Sequence, residues 1–214
     1  MHQPRPDKLI GVLGTHTEVG KTWVSSQLLR RLRQRGLAVA ARKPVQSFEA
    51  GDEVTDAVVL ASATGESTYD VCPPRRRYAL AMAPPMAADI LGRPRIELSE
   101  IVVELVWPER VDVGVVETAG GAYSPLSHDG DSIDLLRRLR PDWILLVADA
   151  GLGAINAVRL SLSCTQPYST IVFLNRYDER NELHRLNRLW LTERYDIQTV
   201  VTLNELTDAV ATSI

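Results

Sequence analysis

The sequence is poor in cysteine, lysine and aromatic residues, and each scarcity excludes something. Its two cysteines, Cys72 and Cys164, stand far apart and form no CxxC or Cys/His pattern, which argues against a structural zinc centre and leaves them as reduced, structural thiols. No stretch approaches the roughly 18 apolar residues that span a bilayer, so no membrane partner is expected. The N-terminal residues Met1 to Asp7 are polar and lack the apolar core of a secretory leader, which places the chain in the cytoplasm as an expectation. The charge imbalance is small, with a net charge of -3 over 214 residues, so non-specific nucleic-acid binding is not expected either. With 45% hydrophobic and 24% charged residues, the composition suits one well-filled core, and residues 1–214 read as a single domain.

What is present is a recurring alternation. Short apolar, β-branched runs occur at residues 9–13, 38–42, 111–116, 143–147, 170–174 and 198–201, separated by stretches with helical spacing at 22–35, 97–106, 132–139 and 182–191. Runs buried on both faces and separated by helices predict an α/β fold, a mostly parallel sheet with helices on either side. In such sheets ligands bind beyond the carboxyl ends of the strands. The chemically unusual residues do fall just after the apolar runs.

After the first run comes Gly14-Thr15-His16-Thr17-Glu18-Val19-Gly20-Lys21-Thr22, leading into a helix. Glycines let backbone N–H groups curl around phosphates, the helix start adds positive potential, and Lys21 supplies charge for the terminal phosphates. The Thr22 hydroxyl suits Mg²⁺. The spacing, G-x5-G-K-T, is one residue longer than the usual P-loop. Lysine usage sharpens this reading. Lys8, Lys21 and Lys43 are the only lysines in a Lys plus Arg total of 24, and two of them follow strand ends. A compact, mobile ammonium differs from the planar fork of arginine, so its retention there points to phosphate chemistry.

Lys43 opens Lys43-Pro44-Val45-Gln46-Ser47, either as a site residue or as a surface lysine at a proline turn. Glu117, closing the third run before Thr118-Ala119-Gly120-Gly121, needs a partner for its carboxylate: nucleotide-bound Mg²⁺, or a conventional buried ion pair. Asp56 reads as a helix-start charge. Asp149 and the following Gly151 to Asn156 suit a tight turn or a ligand contact equally. Asn175-Arg176 suits a base edge or a solvated loop. His16 and His128 have no spaced metal-binding partners, and Arg75–Arg77 is expected to be a solvated basic face before an anion contact.

Together these segments resemble the dethiobiotin synthetase family of P-loop enzymes along most of the chain. The likeness extends to Ala83-Pro84, Gly92-Arg93-Pro94, Ser124-Pro125-Leu126-Ser127 and Leu152-Gly153-x-Ile155-Asn156. It implies an ATP- and Mg²⁺-dependent ligase that carboxylates 7,8-diaminononanoate with CO₂ and closes the ring to dethiobiotin. Lys43 and Lys21 would be catalytic. Glu18, Val19, Gly20, Lys21 and Thr22 would bind ATP on the phosphate side, with Asn175, Arg176, Thr202 and Leu203 on the base side, and Trp23 would also bind ATP. Thr22, Asp56 and Glu117 would hold the metal. Ser47 and Thr17 would contact the diamine, and Gly153, Ile155 and Asn156 would reach it across a homodimer interface. The chain departs from the family pattern at His16, Phe48 and Thr118, and its 202–204 segment lacks a proline. A regulatory partitioning-type ATPase is the main alternative, disfavoured because Thr15, His16 and Thr17 stand where a second loop lysine is usual and because residues 204–214 carry no Lys or Arg. A diverged ligase or amidase on the same fold is another.

Overall fold

A computed structural model describes residues 4–212; the outermost residues of the expected domain, 1–3 and 213–214, lie outside them. The elements run β1 (Lys8–Gly14), α1 (Lys21–Gln34), β2 (Val39–Arg42), β3 (Gln46–Ser47), α2 (Asp56–Thr64), α3 (Thr68–Val71), β4 (Arg77–Tyr78), α4 (Pro84–Ile90), α5 (Leu98–Glu104), β5 (Val113–Gly121), α6 (Ser132–Leu139), β6 (Trp143–Asp149), α7 (Ala154–Thr165), β7 (Ser169–Asn175), α8 (Glu182–Tyr195), β8 (Thr199–Val200) and α9 (Leu203–Ala211). Among the described residues, six strands form one parallel sheet in the order β2-β5-β1-β6-β7-β8, and β3 and β4 make a separate short parallel pair.

The side-chain period of two sorts the strands into two cores. Leu9, Leu13, Ile144, Leu146, Val172 and Leu174 pack with Ile101, Ile133, Leu136, Val158 and Leu191 of α5 to α8. Ile10, Val12, Val113, Val115, Leu145, Val147 and Phe173 pack with α1, α2 and α9 through Val24, Leu28, Leu60, Leu206 and Val210. Gly11 is what lets α6 approach: a Cβ there would lie 2.7 Å from a Leu136 methyl carbon. The chain passes from β1 to β2 on one side and from β5 to β6 on the other, so the loop after β1 opens at the switch point where such folds bind ligands. Alternation along β5 has a further result. Glu117 shares the parity of Val113 and Val115 and so faces α1, not α6.

The six predicted strands are all present, β5 running on to Gly121. Helices α2, α3, α4, α7 and α9 were not marked by helical spacing in the sequence: α2, for one, has no clear apolar stripe, and α7 starts from Gly153 without a side-chain cap. The reading of Arg75–Arg77 as a solvated face is corrected. Arg76 is buried and paired with Glu100 and Glu104 of α5 at 2.8 and 2.7 Å, and Arg77 donates to the carbonyls of Thr68 and Cys72. The two glutamates sit one helical turn apart, a spacing that offers Arg76 both carboxylates at once. No helix among the described residues is long and apolar enough to cross a membrane.

Candidate functional site

The loop from Gly14 to Gly20 turns back over the end of β1 and delivers the chain into α1. Two of its residues are left-handed, Glu18 at φ 64° and Gly20 at φ 92°. Helix α1 begins with no side-chain cap, so its first N–H groups are available to an anion, with the helix dipole behind them. The loop is held from outside by the end of β7. Asn175 Nδ2 donates to Val19 O at 2.8 Å, and Arg176 Nη2 donates to Glu18 O at 2.8 Å. Gly20 lies so close to Asn175 that a Cβ would sit 2.3 Å from Nδ2, which is why this position admits no side chain.

Beneath the loop lies a compact charge cluster. The Lys43 ammonium is 2.7 Å from Asp56 Oδ2, 2.8 Å from Glu117 Oε1 and 3.2 Å from Thr118 O. Glu117 is fully buried, and its other oxygen accepts from Ser25 at 2.8 Å. Both carboxylates also meet the Thr22 hydroxyl, Asp56 Oδ1 at 2.7 Å and Glu117 Oε1 at 2.6 Å. Burial works against the charge on Lys43, but Asp56 and Glu117 outweigh it and raise its pKa. The Lys43 charge in turn is the main reason the Asp56 carboxyl is held below its ordinary range. Lys21 is nearly buried and donates to Gly120 O at 2.8 Å. Its pKa is pushed down to about 8, by desolvation first and by the neighbouring Lys43 charge second.

One hydroxyl carries one proton, so Thr22 can donate to only one of the two carboxylate oxygens that approach it. Three hard oxygen donors therefore converge with one contact that no hydrogen can bridge, a donor set suited to Mg²⁺, which takes one or two carboxylates and completes its shell with phosphate oxygens and water. The residues present fit that ion.

Two recesses meet at Gly20. The first, about 720 Å³, is lined by Thr17, Glu18, Lys21, Thr22, Lys43, Asp56, Ser47 and Phe48 among others. The second, about 710 Å³, is lined by Trp23, Asn175, Arg176, Tyr177, Thr202 and Leu203 with Arg31 and Asn204. Of the residues expected at phosphate, metal and diamine, Thr17, Glu18, Lys21, Thr22, Lys43, Ser47 and Asp56 line the first recess and Glu117 is buried behind Lys43 and Thr22; those expected at the base line the second, and Trp23 lies there with them. Val19 turns its side chain into the α1-side core. Gly153, Ile155 and Asn156 line neither recess; they sit at the start of α7 beside Leu152, whose side chain is 93% exposed.

Sequence reasoning assigned no role to Gln46 or Ser25, and read Gly120 only as a glycine that lets backbone approach a ligand. Gln46 Oε1 accepts from Ala57 N at 3.0 Å and so fixes the start of α2 that presents Asp56. Ser25 follows Thr22 by three residues and therefore shares its helix face, a signal that was available. Gly120 contributes only a carbonyl, which no side-chain pattern reveals. His128 is structural: its Nδ1 accepts from Ile96 N at 2.9 Å and its Nε2 lies 3.0 Å from Asp89.

Residues 8–187 match a protein family described as an AAA domain. A protein of Phenylobacterium zucineum named ATP-dependent dethiobiotin synthetase is 34% identical over 168 residues, covering 75% of this chain and 71% of the relative. Proteins of the same name from Haloferax mediterranei and Anaeromyxobacter dehalogenans are 34% identical over 186 residues and 37% over 172, covering 85% and 77% of this chain and 78% and 75% of those relatives. Among solved structures, a plasmid partition protein from Borrelia burgdorferi bound to AMPPNP superposes with a TM-score of 0.51 at 15% identity, covering 95% of this chain and 89% of that one. That likeness is one of fold alone.

Proposed function

The chain belongs to the dethiobiotin synthetase family, and from that premise we propose that it is an ATP- and Mg²⁺-dependent ligase that converts 7,8-diaminononanoate and CO₂ to dethiobiotin. The observation that carries the reading is the position of Lys43. Its ammonium lies in a recess lined both by the phosphate loop and by Ser47 and Phe48, where a phosphate and a second substrate would meet.

The reaction proceeds in three steps. One amine of the diamine adds to CO₂ and loses a proton, giving a carbamate. A carbamate oxygen attacks the terminal phosphorus of ATP, and ADP leaves. The second amine then attacks the carbamate carbon, phosphate leaves with the C–O bonding pair, and the ureido ring closes. None of these steps needs a protein nucleophile, so the task of the chain is positioning and charge neutralisation. The uncapped start of α1 and the Lys21 ammonium hold the phosphates. Lys43, kept protonated by Asp56 and Glu117, neutralises the carbamate and the phosphoryl group in transfer. Thr22, Asp56 and Glu117 would hold Mg²⁺, which supplies charge neutralisation on the phosphate oxygens. Ser47 and Thr17 face the diamine, Phe48 narrows its pocket, and Trp23, Asn175, Thr202 and Leu203 surround the nucleoside, with Arg176 at the edge of the same recess. The exposed loop bearing Gly153, Ile155 and Asn156 serves the recess of a second subunit in a homodimer.

Two variants test the division of labour between the lysines. Lys43→Ala is expected to abolish dethiobiotin formation while MgATP binding falls by less than about tenfold, whereas Lys21→Ala loses both. Normal product formation by Lys43→Ala would contradict the assignment.

A further inference from the structure

Four non-glycine residues among those described are left-handed: Glu18, Arg140, Arg176 and Asp196. Arg140 and Asp196 are ordinary helix C-caps. Glu18 and Arg176 are not caps, and they are bonded to each other, the Arg176 guanidinium donating to the Glu18 carbonyl. Strained backbone at two partnered positions persists where the surroundings enforce it. The guanidinium is itself held. Its Nη1 lies 3.0 Å from Asp149 Oδ2, and Asp149 Oδ1 accepts from Gly151 N at 2.8 Å. Asp149 and Asn175 are register partners at the ends of β6 and β7, so the clamp is built on the sheet and not on a loose loop.

We propose that Arg176, anchored by Asp149, is a positioning residue that aims the N–H groups of the phosphate loop, and that its contribution to nucleotide binding passes through the loop and not through contact with the base. The argument is one of peptide geometry. In a planar trans peptide the carbonyl and the following N–H point in opposite directions. Arg176 draws the Glu18 carbonyl toward β7 and so turns the Val19 N–H the other way, into the loop. Asn175 does the same for the Val19 carbonyl and the Gly20 N–H. Two consecutive residues at the end of one strand thereby orient two consecutive donors of the phosphate nest. The fork of arginine suits the task because one guanidinium can reach Glu18 and Asp149 together.

The inference rests on the nucleotide reading above, and tripolyphosphate separates the two because it carries the phosphates and no base. Binding of MgATP and of magnesium tripolyphosphate is measured by titration calorimetry for the parent chain, Arg176→Ala, Arg176→Lys and Asp149→Asn, with melting temperatures alongside. Arg176→Ala is expected to weaken both ligands to the same degree, by about five- to tenfold, the scale of one typical intramolecular hydrogen bond. Its melting temperature should stay near that of the parent, since the side chain is 59% exposed. Arg176→Lys should recover part of the loss and Asp149→Asn should show a smaller loss of the same kind. Weakened ATP binding with unchanged tripolyphosphate binding would overturn the proposal in favour of a base or ribose contact. Unchanged binding of both would overturn it outright. A parent chain that binds neither ligand would overturn the nucleotide reading together with it.

Discussion

Replacing Lys43 with alanine removes the ammonium that lies 2.7 Å from Asp56 Oδ2 and 2.8 Å from Glu117 Oε1. Glu117 has no solvent exposure, so its charge has no water to fall back on. Breaking a buried pair by removing one partner costs about 3–5 kcal/mol, because the surviving charge stays desolvated. In a domain of this size each kcal/mol shifts the melting temperature by about 2–4 °C, so the variant should melt roughly 6–20 °C below the parent at neutral pH. The pH dependence carries a sign. Lys43 holds the Asp56 pKa below its ordinary 3.8, so the stability from this carboxylate is complete above that value and is lost as pH falls through the depressed pKa. The gap between parent and variant should therefore be full from pH 7 down to about the ordinary carboxylate range and should narrow below it. Differential scanning calorimetry across pH measures this directly. The double variant Lys43→Ala/Glu117→Gln should recover more than half of the loss, since the orphaned charge has gone and the amide can still bond Ser25. A Lys43→Ala protein that melts with the parent would refute the reasoning.

Gly20→Ala sets a Cβ 2.3 Å from Asn175 Nδ2 at φ 92°, so nucleotide affinity should fall at least about tenfold, measured by titration with a fluorescent ATP analogue. Cys72 is buried and its thiol is pushed up to about 12 by desolvation, so at pH 8 it should react with an aromatic disulfide reagent only in denaturant. Between its ordinary 9.0 and about 12 the folded chain keeps a proton that the unfolded chain loses, so this thiol's contribution to stability declines as pH rises through that window. Phe48→Gly should change KM for the diamine more than the MgATP binding constant, because Phe48 follows Ser47 in the first recess and takes no part in the second, where the nucleoside would lie.

The sheet was legible because its strands are buried on both faces and read as continuous apolar runs; the phosphate loop was legible because glycine spacing, a lysine and a helix start coincide. The partners of its charges were less so. Glu117 was recognisable as a buried carboxylate in need of a cation, but two cations were candidates, and only the fold brings Lys43 to it across 74 residues of sequence. Arg76 was misread because charge runs say nothing of α5, whose Glu100 and Glu104 cover it. Asn175 and Arg176 were placed at the correct edge of the sheet, yet the sequence cannot show that their side chains turn inward to the phosphate loop, because the residues they hold are 156 and 158 positions away. Helix α2 left no clear stripe because α1, α3 and β2 all pack against it, so small apolar residues are spread around most of its circumference.

The most direct test of the central claim is to supply the purified chain with MgATP, ¹³C-bicarbonate and 7,8-diaminononanoate and to follow phosphate and product together by mass spectrometry. The account predicts one phosphate released for each dethiobiotin formed, with the label in the ureido carbonyl and no product when ATP is omitted. Phosphate release without labelled dethiobiotin, or ATP binding with neither, would contradict it.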